Sequence, residues 1–162
     1  MREKKRATET ILTEQVMLTY TNHYGTLYGG KLLELMDKAA FIATSRFAHS
    51  DTVTASSESV DFHHPIRFGD IIELSAKVIY TGRTSMVVRI HAFGEDRRDH
   101  KKFLATNGYF NMVAVDEQGL PKEVPELLVE TEEERGEWET GQRIKELSKE
   151  RMARKGSGKG DS

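Results

Sequence analysis

Residues 22–37 read NHYGTLYGGKLLELMD. Three glycines fall within the first nine positions, a helical apolar pattern follows, and an acid interrupts that pattern. From Gly30 to about His49 the run GKLLELMDKAAFIATSRFAH has no proline and no internal glycine, and its Leu, Met, Ala, Lys and Glu residues favour helix. Apolar residues from Leu32 to Ala43 occupy most of the circumference, so the helix needs cover on most sides. Asp37 shares one stripe with Leu33, a turn before it, and Phe41, a turn after. A carboxylate there lies either on a narrow exposed edge between Glu34 and Lys38, or in a partly apolar cleft as a general base.

The cover is supplied by strands. Ahead of the helix, ILTEQVMLTY suits a first strand; after it, DTVTASSESVDF alternates and is rich in Thr, Ser and Val. HHPIRFGD breaks the pattern with Pro65 and Gly69. In IIELSAKVIY, Ile72, Leu74, Ala76, Val78 and Tyr80 take one face, with Glu73, Ser75 and Lys77 on the other. SMVVRIHAF puts Met86, Val88, Ile90 and Ala92 on one face, and FLATNGYFNMVAV forms a final long strand. Short connections between the strands after the helix favour antiparallel neighbours. The expectation is an α+β domain over residues 11–127: one long central helix wrapped by an antiparallel sheet of about five strands.

The two ends differ in character. Residues 1–10 are polar and expected to be flexible. Residues 128–155 are Glu-rich first and Lys/Arg-rich last, which suits the helix dipole, so they predict a charged, mostly exposed helix, broken near Gly136 or Gly141. Residues 156–162, GSGKGDS, predict a disordered tail.

Composition narrows the functional classes. The chain has 162 residues, a net charge of −2 and no cysteine, so neither a general attraction to nucleic acid nor a disulfide or thiolate site follows. No apolar run approaches the roughly 20 residues that span a bilayer. MREKKRATET lacks the apolar core of a secretory signal, so a cytoplasmic protein without membrane contact is expected. His63 and His64 adjoin on a strand and point to opposite faces, and the other histidines are scattered, so no metal is expected. No Gly-x-Ser-x-Gly elbow exists for a serine triad.

Gly29 and Gly30 stand at the helix start, where backbone N–H groups are free and glycine lets a ligand approach. They serve either as an ordinary tight turn or as donors to a carbonyl oxygen that becomes an oxyanion. Asn22 adds a neutral amide just upstream. The hydroxyl-rich strand, with Thr52, Thr54, Ser56, Ser57 and Ser59, is either an exposed face or a polar interface beside the cleft, with Thr54 the best candidate there. TGRTS, residues 81–85, reads by composition as a strand connection.

The segment NHYGTLYGGKLLELMD resembles the Asn-x-x-Gly, Gly-Gly and Asp segment of hotdog-fold acyl-CoA thioesterases, in the group of small bacterial acyl-CoA hydrolases related to the animal brain and cytosolic enzymes. The likeness continues through TVTASSESVDFHHPIRFGD, GRTSM and VAVDEQGLPKEVP, covering roughly residues 12–125. It implies a hotdog thioesterase domain whose subunits join sheets side by side in a homodimer, within a higher homo-oligomer such as a hexamer. The sites would lie at the subunit interface. Asp37 would activate water or attack the thioester, Asn22 of the neighbouring subunit would position the reactants, and the amides near Gly29 and Gly30 would hold the oxyanion. Gly82, Arg83, Thr84 and Ser85 would contact coenzyme A, Arg83 through a phosphate. No cofactor is implied beyond the coenzyme A of the substrate. Two other readings are a non-catalytic acyl-CoA-binding protein and a hotdog dehydratase, for which His23 lies near the relevant position.

Overall fold

The computed structural model describes residues 2–157. Its elements are β1 (Lys4–Lys5), β2 (Thr10–Gln15), a 3-10 turn (Leu18–Tyr20), α1 (Gly29–Ala48), β3 (Asp51–Phe62), β4 (Ile71–Thr81), β5 (Ser85–Glu95), β6 (Lys102–Val115), β7 (Glu126–Leu127) and α2 (Glu132–Ser157). Five strands form one antiparallel sheet in the order β2-β4-β5-β6-β3, and α1 lies against its inner face. This is the α+β arrangement of a long helix, a five-stranded sheet and a C-terminal helix that the sequence predicts.

The period-2 pattern sets the inner face. Ile72, Leu74, Ala76 and Val78 of β4, with Met86, Val88, Ile90 and Ala92 of β5, are buried against Leu32, Leu35, Met36, Ala39, Ala40 and Ala43 of α1. Burying each larger aliphatic side chain contributes about 1.5–3 kcal/mol. The helix ends at His49, whose left-handed conformation (φ 49°, ψ 47°) turns the chain into β3. Within this chain α1 is not covered all round. Leu33 and Phe41 remain 37% and 42% exposed, and Asp37 lies between them, so the stripe singled out in the sequence is the uncovered one.

Strand pairing differs from sequence order. β3 does not neighbour β4; it pairs with β6 at the far edge. The connector after β3 joins the segment ahead of α1 instead of turning back. Leu27 N donates to Ile66 O (2.7 Å), and Gly69 N donates to Val16 O (2.9 Å). Among the described residues, β3 therefore has a free edge along its 12 residues. Bulges follow Thr54 and Glu58 and bend it.

Another difference is Tyr80, expected on the inner face. A register shift between Val78 and Tyr80 carries it outward onto Trp138 of α2, with ring centroids 4.6 Å apart. α2 covers the outer face, burying Ile144 against Ile79 and Val87. One face of it is thus buried while most of its residues are exposed, as expected, but it runs unbroken through Gly136 and Gly141. Gly141 is a contact residue: a Cβ there would sit 2.5 Å from Tyr80 Cβ. The helix also takes in Gly156 and Ser157, two residues of the expected disordered tail; residues 158–162 of that tail lie outside the described residues.

The N-terminal segment, expected to be loose, is tied down. β1 pairs in parallel with β7. Arg2 donates through Nε to Val124 O (2.9 Å) and through Nη2 to Gly82 O (2.7 Å). The carbonyls just ahead of β7 and the turn after β4 supply acceptors that composition alone does not reveal.

Candidate active site

Three groups of residues carry the candidate chemistry. The first is the loop before α1. Asn22 Oδ1 accepts hydrogen bonds from the backbone N–H of Tyr24 (3.0 Å) and Thr26 (3.2 Å), and Thr26 Oγ1 lies at 3.1 Å. Two N–H donors converge on this atom, so it is the amide oxygen. Nδ2, the donor side, makes no hydrogen bond among the described residues. The residue in the left-handed region is Gly25 (φ +77°), which closes the turn. Gly29 and Gly30 do not have that conformation; they form the first turn of α1. The N–H groups of Lys31 and Leu32 both donate to Tyr28 O (3.1 Å each), whereas those of Gly29 and Gly30 have no acceptor among the described residues. Lys31 stands beside them, and its hydrogen bond to Glu34 raises its pKa, keeping the ammonium charged.

The second group joins α1 to β3. Thr54 Oγ1 donates to Asp37 Oδ1 at 2.5 Å. Both residues are exposed in the single chain, flanked by Leu33, Phe41 and Val53 (49% exposed). One carboxylate oxygen is thereby fixed and the other is open to a ligand or water. Deeper on the same pair of elements, Thr44 and Thr52 share a buried hydroxyl contact of 2.7 Å that pins β3 to the helix.

The third group is the turn after β4. Gly82 N donates to Ser85 O (2.8 Å), and a Cβ on Gly82 would sit 2.7 Å from Ser85 Oγ. Ser85 is buried, and Thr84 O accepts from Ala114 N (3.0 Å). Arg83 is exposed; its carbonyl accepts from Val124 N (2.9 Å), and its guanidinium has no partner among the described residues. Ser85 stands opposite Val113, which stands opposite Val53. Two strand spacings, about 10 Å, therefore separate this turn from the Asp37–Thr54 pair.

Within one chain these groups do not converge. Gly30 and Asp37 are seven residues apart on one helix, about 10 Å along its axis. A nucleophile must approach the carbon of a polarised carbonyl to about 3–3.5 Å. The helix-start amides and the carboxylate of one chain therefore cannot act on the same carbonyl.

The sequence reading missed a cavity of about 260 Å³ beside Gly29, with Phe62 at its rim and Leu32, Ile66 and Thr106 below. The available signal was Thr106 itself, a polar residue at an inward position of β6. His23, the residue that raised a dehydratase, lies against the ring of Tyr24 (3.9 Å between centroids) in the exposed loop. Among the described residues, no helix is long and apolar enough to cross a membrane.

Residues 24–100 match the family described as the thioesterase superfamily. An uncharacterised acyl-CoA thioester hydrolase of Bacillus subtilis is 36% identical over 129 residues, which is 80% of this chain and 75% of that one. The mouse cytosolic acyl coenzyme A thioester hydrolase is 32% identical over 120 residues, 73% of this chain but 32% of that longer protein. An apo-hexameric acyl-CoA thioesterase superposes with a TM-score of 0.87 at 40% identity, covering 93% of this chain and 98% of that one. The acyl-CoA hydrolase of Staphylococcus aureus, solved with butyryl coenzyme A, coenzyme A and coenzyme A disulfide, gives 0.86 at 34% identity, covering 96% and 97%. The chain belongs to the thioesterase superfamily, in its group of hotdog-fold acyl-CoA thioester hydrolases. Alanine variants of the Staphylococcus aureus enzyme have been solved at an asparagine, an aspartate and a threonine. Those three residues are separated by 15 and 17 positions, the intervals between Asn22, Asp37 and Thr54 here.

Proposed function

We propose that the protein hydrolyses acyl-CoA to a carboxylic acid and free coenzyme A, at sites shared by two copies of the chain. The observation that carries this reading is the Asp37 carboxylate, held by Thr54 and open on the uncovered stripe of α1. The names of the relatives and the matching intervals support it.

The separation of Gly30 from Asp37 calls for a second copy. A partner whose β3 edge and exposed α1 stripe meet those of the first covers Leu33, Phe41, Val53 and Phe62 and satisfies the free sheet edge. The loop and helix start of one subunit then face Asp37 of the other. The thioester oxygen accepts from the amides of Gly29 and Gly30, which polarise the carbonyl, and Asn22 Nδ2 donates to the carbonyl or to the attacking water. Asp37 takes a proton from that water, or attacks the carbon itself to form an acyl anhydride that water hydrolyses once coenzyme A has left, freeing the acid and the carboxylate. The tetrahedral oxyanion stays on the amides, the C–S bond breaks, and the coenzyme A thiolate takes up a proton. Arg83, unpaired within the described chain, holds a coenzyme A phosphate, with Thr84 and Ser85 beside it.

This reaction needs no cofactor besides the coenzyme A of the substrate. The hexameric relative supports assembly of the dimers into a larger homo-oligomer, and the cytosolic mouse relative supports a cytoplasmic location.

Release of free thiol from a panel of acyl-CoAs tests the reaction, with water loss from hydroxyacyl-CoA followed in parallel. The protein should release thiol, and Asp37→Ala should abolish release while coenzyme A still binds. Water loss without thiol release would make it a dehydratase; binding without either would make it a non-catalytic acyl-CoA binder.

A further inference from the structure

The inner face of β6 is apolar from Phe110 through Met112 to Ala114, and Gly108 packs on Met36. Thr106 occupies the next inward position and is 1% exposed. Its Oγ1 is buried and has no hydrogen-bond partner among the described residues. Buried hydroxyls ordinarily have one, and a valine would fit the same space without the cost of an unmet donor. Thr106 is also a lining residue of the cavity of about 260 Å³ that opens at Gly29. Its exposed rim includes Gly29 and Phe62, while its buried residues, Leu32, Ile66 and Thr106, make the floor. The cavity therefore begins beside Gly29, whose amide is free, with the exposed His63 and His64 on its rim, and its buried floor is apolar except for Thr106.

We infer that this cavity receives the acyl group and that Thr106 selects short acyl chains bearing a hydroxyl or oxo oxygen. The inference rests on the thioesterase reading, because that reading puts the thioester carbonyl at the amides of Gly29 and Gly30. The acyl chain continues from the carbonyl on the side away from coenzyme A, and the cavity begins beside those amides. The part of the pocket that this chain forms, about 260 Å³, lies below the roughly 300–1,000 Å³ of pockets for larger ligands, so it holds a short chain. A hydroxyl both donates and accepts, so Thr106 pairs with either an alcohol or a carbonyl oxygen on the chain. An unsubstituted chain leaves it unmet, and a site with an unmet buried polar group discriminates against the ligand that lacks the partner.

The test compares butyryl-CoA with 3-hydroxybutyryl-CoA and 4-hydroxybutyryl-CoA on the wild type, Thr106→Val and Thr106→Ser. Wild type should favour the better hydroxylated substrate over butyryl-CoA by about tenfold in kcat/KM. Thr106→Val should turn faster on butyryl-CoA than on either hydroxylated substrate, with an unchanged or higher Tm, and Thr106→Ser should retain the wild-type order. If Thr106→Val does not fold, loss of the preference in Thr106→Ala with retention in Thr106→Ser carries the same conclusion. Equal kcat/KM for all three substrates in wild type, or the same preference in the valine variant, would overturn the role of Thr106. Equilibrium binding of the same three thioesters to Asp37→Ala, with and without Thr106→Val, separates the two claims. A Thr106-dependent binding preference without hydrolysis by wild type would leave the pocket standing and remove the catalytic reading. Hydrolysis without any such preference would do the reverse.

Discussion

Thr54 Oγ1 donates to Asp37 Oδ1 at 2.5 Å, tying the free edge strand to the uncovered stripe of α1. The contact fixes the carboxylate rotamer and occupies one of its oxygens, so the other has a defined direction. A base or nucleophile acts efficiently only when it is held in such a geometry.

Replacing Thr54 with valine keeps the volume and removes the donor. Thr54→Val should lower kcat by roughly tenfold to a hundredfold with KM little changed, since the carboxylate loses its orientation rather than the substrate its contacts. Steady-state kinetics on one acyl-CoA check this. An unchanged kcat would make the contact a structural tie alone.

Gly30 separates the oxyanion role from a turn role. It is already helical, so alanine there suits the backbone, and helix propensity favours it by up to about 1 kcal/mol. A Cβ would come 3.3 Å from the end of the Tyr28 ring, a half-exposed side chain that can yield. Gly30→Ala should therefore keep or raise Tm while kcat falls. Thermal unfolding and turnover measured on the same sample decide it; a fall in Tm with kcat intact would assign Gly30 to the fold.

The turn carrying Arg83 is braced from beneath by Arg2 and Val124, which leaves the guanidinium exposed. A phosphate contact remote from the thioester holds substrate and transition state alike. Arg83→Ala should raise KM by about tenfold and leave kcat near wild type. A severe loss of kcat at unchanged KM would contradict a coenzyme A role.

Much of this was legible before folding, for identifiable reasons. The burial of α1 and the inner faces of β4 and β5 follow from local period, so Leu32 to Ala43 and Ile72 to Val78 read directly from the residue order. The stripe Leu33–Asp37–Phe41 also showed, because an acid between two apolar residues one turn away conflicts with burial. What did not show depends on partners distant in the chain. Tyr80 changed face because a bulge shifts the register one residue earlier. Gly141 looked like a helix breaker and is a close contact with Tyr80. Lys4 and Lys5 form a strand only because Glu126 and Leu127 lie alongside. The pairing of β3 with β6 spans some fifty residues, and Thr106 became notable only once its neighbours left its hydroxyl unmet.

The central claim is that a working site takes Asn22 from one subunit and Asp37 from another, and co-assembly of Asn22→Ala with Asp37→Ala tests it most directly. Each variant alone should be nearly inactive. A mixed dimer has one site with both defects and one with neither, so equal mixing by co-expression or co-refolding should restore about a quarter of the wild-type rate. Recovery of thiol release to that level is the predicted result. Isolated mixed dimers that remain as inactive as the parent variants would contradict it and place both residues in the same chain's site.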